Sequence, residues 1–300
     1  MVRLTRRQLG LAVLASGCPR PDPTPGGLEG GGWIDLDFPQ TATRTFAQRA
    51  LAHLPAGAAS KPIVIALHGR GEASKGLEGG ARGFRDDYRV DAVRSALEVG
   101  VVTSETVGGL EEPPRLERIR AALAAEPWSG VVLVTPFTPV PNTRDLAGSP
   151  FAAFVTGELL REVDARRGGP APGAPSRSPV GIDGISMGGR YALVLGFSFP
   201  EVFGSVGGLQ PAIAVEDADP LAELALRAKG TKTQKIRLCS SAEDPFLEPT
   251  RALSRALEAR GIEHQLVVTD GPHAYAWNRG PGALELLVFH ERALRGLDPP

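Results

Sequence analysis

The sequence has little cysteine, almost no net charge and no long apolar run, and each absence excludes a class of protein. A formal charge of −1 provides no basic excess for binding nucleic acid. No apolar run approaches the roughly 20 residues that a membrane-spanning helix needs. Histidines, cysteines and acidic residues are nowhere grouped at the spacing of metal ligands, so we expect no metal and no cofactor.

One of the two cysteines, Cys18, ends an unusual first segment. This segment has a basic start, a short apolar run and then small residues, which is the layout of an export signal. Within it, Arg6-Arg7 resembles a twin-arginine signal. The residues before the cysteine resemble a bacterial lipobox, although Ala15 stands where leucine is usual. We therefore expect residues 1–17 to be an export signal and Cys18 to be the site of lipid attachment.

Residues 18–32 are rich in proline and glycine and show no periodicity, which is typical of a flexible tether. The lipid would hold the protein to a membrane of a bacterial cell envelope, facing the periplasm. Once the signal is removed, Cys239 would be the only free thiol, so we expect no disulfide within one chain.

From residue 33 to 298, short apolar runs alternate with segments of helical periodicity. Continuous apolar runs, such as 61–69, are typical of strands that are buried on both faces. This alternation predicts one α/β domain with a mostly parallel central sheet flanked by helices. The long interval 70–128 between two strands predicts two helices, near 89–99 and 115–125.

The segment GIDGISMGG surrounds Ser186 with glycines at the junction of a predicted strand and a predicted helix. Gly184 and Gly188 complete the pattern G-x-S-x-G, which is typical of a tight bend that exposes a nucleophilic serine. Side chains at the two glycine positions would clash across such a bend. The next amide, that of Met187, would lie free at the helix N-terminus, where it can stabilise an oxyanion. We therefore predict that Ser186 is a nucleophile.

A serine in this kind of turn needs a histidine base that follows it in the chain. Two of the five histidines, His53 and His68, precede the serine. His264 opens a predicted strand, and His290 lies within the last predicted helix. Only His273 lies in a loop after a strand, so we predict that it is the base.

The acid that orients this histidine should follow the strand at 235–241. Asp244 occupies that place, with Glu243 as the alternative and Glu248 as the nearest further candidate. The interval from Asp244 to His273 leaves room for one helix and one strand, which is what the pattern predicts there.

A second oxyanion donor is expected in the loop after the strand at 61–69. His68 begins this loop, and we interpret it as a structural residue. The backbone amide of Arg70 is the predicted donor, with the amides of Gly69 and Gly71 as alternatives.

Three segments together resemble one family: LHGRG, GISMGGRYALVLGFSFPEVFGSVGGLQP, and the stretch from SSAEDPF to GPHAYAW. Over roughly residues 45–295 the chain resembles the esterase D and antigen 85-like branch of the α/β-hydrolases. The resemblance implies a triad of Ser186, His273 and Asp244 that acts on carboxylic esters through an acyl-enzyme. Members of this branch differ in substrate, so no particular ester is implied.

A serine esterase acting on a small-molecule or polymeric ester is thus the expected activity. The same triad would also serve an acyltransferase, which passes the acyl group to an alcohol instead of water. A lipoprotein that keeps the fold without catalysis is a third alternative. Hydrolysis of a simple ester separates the first alternative from the third, and an added acceptor alcohol separates the first from the second.

Overall fold

The computed structural model describes residues 31–42, 44–143, 145–169 and 179–300. The predicted export signal, Cys18 and all but the end of the predicted tether lie outside the described residues, so they remain predictions. Within the described ranges, no helix is both long enough and apolar enough to cross a membrane.

In the described part of the chain, eight strands form one sheet. In chain order they are β1 (Gly32–Phe38), β2 (Gln48–Leu54), β3 (Ile63–Leu67), β4 (Val132–Pro136), β5 (Val180–Gly184), β6 (Phe203–Leu209), β7 (Lys235–Glu243) and β8 (Gln265–Pro272). Across the sheet the order is β1-β2-β4-β3-β5-β6-β7-β8. The pairs β1–β2 and β2–β4 are antiparallel, whereas every neighbouring pair from β4 to β8 is parallel. The predicted mostly parallel sheet is confirmed.

Alternate residues of the central strands face two separate apolar layers. On β3, Ile63, Ile65 and Leu67 belong to one cluster, and Val64 and Ala66 belong to the other. Because successive side chains of a strand point to opposite faces, both faces of this strand are covered. All its residues are buried, which explains the continuous apolar run in the sequence.

Helices connect the strands and cover both faces of the sheet. In chain order the α-helices are α1 (Arg70–Ala73), α2 (Gly76–Ala81), α3 (Gly83–Asp86), α4 (Val90–Glu98), α5 (Pro113–Ala125), α6 (Pro150–Ala153), α7 (Leu159–Arg166), α8 (Met187–Ser198), α9 (Ala218–Thr231), α10 (Leu247–Ala259), α11 (Tyr275–Trp277) and α12 (Ala283–Leu294). Short 3-10 helices lie at Ala58–Ser60, Glu105–Val107 and Val215–Asp217, and π-helical turns at Phe154–Glu158 and Asn278–Gly282. One apolar cluster includes residues of α6 to α10, and the other includes residues of α3 to α5 and α12.

The interval 70–128, which the structure describes throughout, holds five α-helices and not the two that were predicted. α4 and α5 lie at the predicted places. The three missed helices, α1 to α3, are short and rich in glycine, which lowers helix propensity. Two of these glycines lie in tight packing. A Cβ at Gly80 would be 2.6 Å from a ring carbon of Phe137, and one at Gly83 would be 2.6 Å from Cγ of Glu72.

Cys239 lies within β7 as a free and buried thiol. Desolvation raises the pKa of this thiol well above its ordinary value. An enclosed neutral thiol of this kind is a packing residue and not a nucleophile.

Candidate active site

Three predicted site residues follow three strands of the parallel part of the sheet. Ser186 comes two residues after the end of β5, Asp244 directly after β7, and His273 directly after β8. Parallel strands end at a common edge of a sheet, and ligands of open α/β sheets bind beyond these carboxyl ends. The structure therefore gathers the three predicted residues at one edge and brings Asp244 and His273 into direct contact.

Ser186 occupies a backbone conformation that few residues other than glycine adopt. Its φ is 57° and its ψ is −116°, a combination that costs about 1–3 kcal/mol. Hydrogen bonds hold the turn in place: the amide of Ser186 donates to the carbonyl of Leu209 at 2.9 Å, and its carbonyl accepts from the amide of Ala212 at 2.9 Å. The residue is partly exposed, and α8 begins directly after it, so the predicted strand–turn–helix context is present.

The glycines around Ser186 are required by the close approach of backbone segments. A Cβ at Gly184 would lie 2.3 Å from the carbonyl carbon of Gly188, and a Cβ at Gly188 would lie 1.9 Å from the carbonyl oxygen of Leu67. Both distances are far shorter than a non-bonded contact between heavy atoms. Any side chain at either position would open the turn.

His273 and Asp244 form a hydrogen-bonded pair. Nδ1 of His273 lies 3.0 Å from Oδ1 of Asp244, whose side chain is fully buried. The same carboxylate accepts from Oγ of Ser240 at 2.5 Å and from the amide of Phe246 at 3.1 Å. A carboxylate fixed in this way draws the imidazole proton to Nδ1. Nε2, on the other side of the ring, is left to accept a proton.

The alternative acids do not reach this histidine. Glu243 and Glu248 are both exposed, and Glu248 pairs with Arg251 at 2.8 Å. Among the acidic residues that the structure describes, Asp244 alone forms a hydrogen bond with His273. The geometry therefore favours Asp244 over both alternatives.

The two predicted oxyanion donors are each the first residue of a helix. Met187 begins α8 and Arg70 begins α1, so neither amide has an acceptor within its own helix. The amide of Gly69, one of the alternatives, already donates to the hydroxyl of Tyr88 at 3.1 Å. Arg70 therefore stays the predicted partner of Met187, with Gly71 as the remaining alternative.

A family model described as "Putative esterase" matches residues 148–280, which contain Ser186, Asp244 and His273. The S-formylglutathione hydrolase of Agrobacterium tumefaciens is 19% identical, with a TM-score of 0.56, over 88% of this chain and 96% of that chain. A mutant of the feruloyl esterase module of Clostridium thermocellum, complexed with sinapinate, is 15% identical, with a TM-score of 0.60, over 87% and 89%. These neighbours support the α/β-hydrolase fold for this chain, with a mostly parallel central sheet flanked by helices.

A further solved structure supports the same α/β-hydrolase fold. The S-formylglutathione hydrolase of Staphylococcus aureus is 14% identical, with a TM-score of 0.58, over 87% of this chain and 99% of that chain. No curated protein matches the chain. Identities this low establish the fold and leave the substrate open.

A buried carboxylate that the sequence pattern did not indicate joins the two sides of the site. Glu72 on α1 accepts hydrogen bonds from the hydroxyls of Tyr88 and Tyr275, the latter at 2.7 Å. Glu72 lies two residues after Arg70, and Tyr275 lies two residues after His273. The hydrogen bond to Glu72, together with desolvation, raises the pKa of Tyr275 to about 12. Glu72 therefore links the loop that carries Arg70 to the loop that carries His273.

Three further histidines, at positions 53, 68 and 264, differ from His273 in their surroundings. Nδ1 of the buried His68 donates to the carbonyl of Gly69 at 2.9 Å, and its Nε2 accepts from the amide of Thr138 at 2.8 Å. It is a structural residue, as predicted. Desolvation lowers the pKa of His53 to about 4, and His264 is hydrogen-bonded through both ring nitrogens. Within the described ranges, no cluster of three or more His, Cys, Asp or Glu is placed to hold a metal.

The fifth histidine, His290 on α12, belongs to a second group of serine, histidine and aspartate that the sequence pattern did not reveal. Its Nδ1 lies 2.7 Å from Oγ of Ser205 on β6, and its Nε2 lies 3.0 Å from Oδ2 of Asp183 on β5. None of the three residues is more than 2% exposed. No substrate reaches them in the folded protein, so their role is structural.

This buried group supports the turn around Ser186 from within the sheet. The second carboxylate oxygen of Asp183 accepts from the amide of Gly184, at the start of the turn, at 2.7 Å. Two strand glycines leave room for the group: a Cβ at Gly181 would lie 2.5 Å from Nδ1 of His290, and one at Gly207 would lie 2.0 Å from Oδ2 of Asp183. Glycine within a strand is a sign of such a close approach, and it is the signal that could have revealed the group.

Proposed function

We propose that the chain is a serine-dependent carboxylic ester hydrolase in which Ser186 is the nucleophile, His273 the base and Asp244 the residue that orients the base. One observation carries the proposal: a strained, partly exposed serine and a hydrogen-bonded His–Asp pair lie at the same edge of the sheet. Solved neighbours named as a feruloyl esterase and as S-formylglutathione hydrolases add support.

In the proposed mechanism, Nε2 of His273 takes the proton from Oγ of Ser186 as this oxygen attacks the ester carbonyl. The amides of Met187 and Arg70 donate to the resulting oxyanion. When the tetrahedral intermediate collapses, His273 gives the proton to the leaving alcohol and an acyl-enzyme remains. Water then attacks the acyl group with His273 again as the base, and the carboxylic acid is released.

The experiment is hydrolysis of p-nitrophenyl acetate by the purified full-length chain, with the Ser186→Ala variant beside it. We expect release of p-nitrophenolate by the wild type and none above background by the variant. A fluorophosphonate reagent should add covalently to the wild-type chain, as seen by intact mass, and the added mass should map to Ser186. A wild type that neither hydrolyses the ester nor reacts would support the non-catalytic alternative. An added alcohol that diverts the product from free acid to ester would support the acyltransferase.

The location of the chain is a separate proposal, supported by the pattern of its first 18 residues. We propose that it is exported to the bacterial cell envelope and held to a membrane by a lipid on Cys18. Cys18→Ser should move the protein from the membrane fraction to the soluble fraction of cells. Equal membrane association of the variant and the wild type would contradict the proposal.

A further inference from the structure

A cavity of about 300 Å³ opens near the carboxyl end of β4. Four aromatic side chains line it: Phe46, Phe137, Phe151 and Tyr191. The rings of Phe151 and Tyr191 meet edge to face with their centroids 5.5 Å apart. Mainly apolar walls and a volume at the lower end of the range for ligand clefts are typical of a site for part of a small molecule.

Two lining residues connect the cavity to the predicted oxyanion donors. Tyr191 lies four residues after Met187 on α8, so the two share a face of the helix about 6 Å apart along its axis. Phe137 packs against the ring of His68 with the centroids 5.7 Å apart, and His68 begins the loop that carries Arg70. The cavity therefore adjoins the site on its oxyanion side.

The strand order places this cavity and the base on opposite sides of the nucleophile. β4, which ends just before Phe137, lies on one side of β5, and β8, which ends just before His273, lies on the other. A histidine that protonates a leaving alcohol must reach its oxygen, so the alcohol part of an ester lies on the side of His273. The acyl part then extends to the other side, toward the cavity.

Tyr191 brings a polar group into these apolar walls. The residue is 3% exposed, and no described residue forms a hydrogen bond with its hydroxyl. The hydroxyl oxygen is not among the fully buried polar atoms that lack a partner, so the small exposed part of the residue includes this oxygen. Desolvation raises the pKa of Tyr191 to about 12, so the hydroxyl keeps its proton and can donate it to a ligand.

We propose that this cavity binds the acyl group of the substrate, and that this acyl group is bulky, mainly apolar and carries a hydrogen-bond acceptor that meets the hydroxyl of Tyr191. The inference rests on the proposed function, because it is the acyl-enzyme on Ser186 that directs the acyl group to this side. Tyr191 and the residues at the rim of the cavity would then determine which esters are hydrolysed.

The first experiment narrows the cavity at its rim. Val140 lines the rim and is 48% exposed, so tryptophan can replace it without disturbing the core. The probes are p-nitrophenyl acetate and p-nitrophenyl benzoate, which differ only in the acyl group. We expect Val140→Trp to lower the benzoate-to-acetate ratio of kcat/KM roughly 10-fold, the scale of a steric change in a pocket. The matched control is Val101→Trp, at a residue that is 58% exposed and outside the cavity; it should leave the ratio unchanged.

The second experiment removes the hydroxyl alone. Tyr191→Phe keeps the ring, and because the hydroxyl has no partner among the described residues, the melting temperature should not fall. We expect kcat/KM for p-nitrophenyl 4-methoxybenzoate, which carries an ether oxygen, to fall roughly fivefold, the scale of one hydrogen bond. The value for the unsubstituted benzoate should change less.

Two failures can be told apart. A wild type that hydrolyses none of the esters would overturn the proposed function and this inference with it. A wild type that hydrolyses them, while Val140→Trp keeps the wild-type ratio of benzoate to acetate, would overturn the inference and leave the proposed function in place. If Tyr191→Phe changed kcat/KM by the same factor for both benzoates, the proposed role of the hydroxyl would be overturned.

Discussion

Two groups of serine, histidine and aspartate, both next to β5, differ in almost everything except their side chains. Ser186, His273 and Asp244 lie beyond the ends of strands, and the histidine side chain is 26% exposed. The other group consists of Asp183, Ser205 and His290. It lies where the sheet packs against α12, and none of its residues is more than 2% exposed. In the open group Nδ1 faces the carboxylate, whereas in the buried group Nδ1 faces the serine and Nε2 the carboxylate.

The difference shows that these three residue types make a candidate catalytic site only in a particular backbone context. Ser186 lies in a strained turn followed by a helix, which supplies a free amide for an oxyanion. Ser205 lies within β6, where it is opposite Gly181 of β5 and Lys235 of β7. The buried group has hydrogen bonds but neither access nor an oxyanion donor. We infer that the open group serves turnover and the buried group serves stability.

The sharpest test of this division exchanges each serine for alanine. Ser186→Ala should lower kcat roughly 10⁶-fold, the scale seen when a catalytic serine is removed, with an unchanged melting temperature. Ser205→Ala should leave kcat within a small factor and lower the free energy of unfolding by about 1–3 kcal/mol, because it leaves a buried nitrogen of His290 without a partner. Ester kinetics and thermal unfolding of both variants measure this. Loss of activity in a well-folded Ser205→Ala variant would break the division.

The next largest effect concerns the acid. Asp244→Asn should lower kcat roughly 10⁴-fold, because the amide no longer holds the imidazole in the tautomer that accepts the serine proton. Glu243→Gln is the matched control and should do little, since Glu243 is exposed. Steady-state kinetics of the two variants decide between them. If only Glu243→Gln lowered kcat, Glu243 would be the acid. If neither substitution lowered kcat, the acid would lie in another loop.

A smaller effect is expected at Glu72, which joins the loop of Arg70 to the loop of His273. Glu72→Gln keeps the shape of the side chain but cannot accept from Tyr88 and Tyr275 as the carboxylate does. A small displacement of the oxyanion loop should lower kcat roughly 10-fold, with less change in KM. Tyr275→Phe removes only one of the two hydrogen bonds and should have a weaker effect. An unchanged kcat in a folded Glu72→Gln variant would show that the link does not position the site.

The smallest expected effect concerns Glu111, a buried acid that, unlike Asp183, has no hydrogen-bond partner among the described residues. Both carboxylate oxygens of Glu111 are buried and lack a hydrogen bond to any described residue. Burial, with the nearby charge of Glu285, raises the pKa of Glu111 to about 8. The folded state therefore binds this proton more tightly than the unfolded state, and stability should fall as pH rises from about 4.5 to 8.

Glu111→Gln removes this titration and tests it. The melting temperature of the wild type should fall more steeply between pH 6 and 8 than that of the variant, by a few degrees over that interval. Glu112→Gln, at the neighbouring exposed acid, is the control and should follow the wild type. Parallel curves for the wild type and Glu111→Gln would show that this carboxyl is not the source of the pH dependence.

The local patterns of the sequence were enough to predict the open group and the layout of the sheet. The turn around Ser186 is encoded within nine residues, and the helix predicted to follow it is present as α8 (Met187–Ser198). The predicted order of strand, acid, helix, strand and base between β7 and His273 is also present. The turn and this order of elements depend on residues that are close in the chain, so periodicity and glycine spacing reveal them.

The buried group around His290 and the link through Glu72 depend on residues that are far apart in the chain. Ser205 and His290 are 85 residues apart, and Glu72 and Tyr275 are 203 residues apart. The strand glycines near Ser205 indicate a close approach, but no local pattern identifies the distant partner in either pair. His290 was interpreted only as a histidine within a helix, because the pattern shows that a helix face is apolar but not which polar group it meets. Tertiary packing decides that partner.

Because Cys239 is buried, chemical modification of its thiol can report unfolding of the protein. Its thiol has no exposed surface and belongs to one of the two apolar clusters that cover the sheet, so a thiol-modifying reagent can reach it only when this packing opens. In a chain carrying Cys18→Ser it would be the sole reactive sulfur. The rate of its modification would then measure how often each variant opens under native conditions, and it would do so without heat, denaturant or substrate.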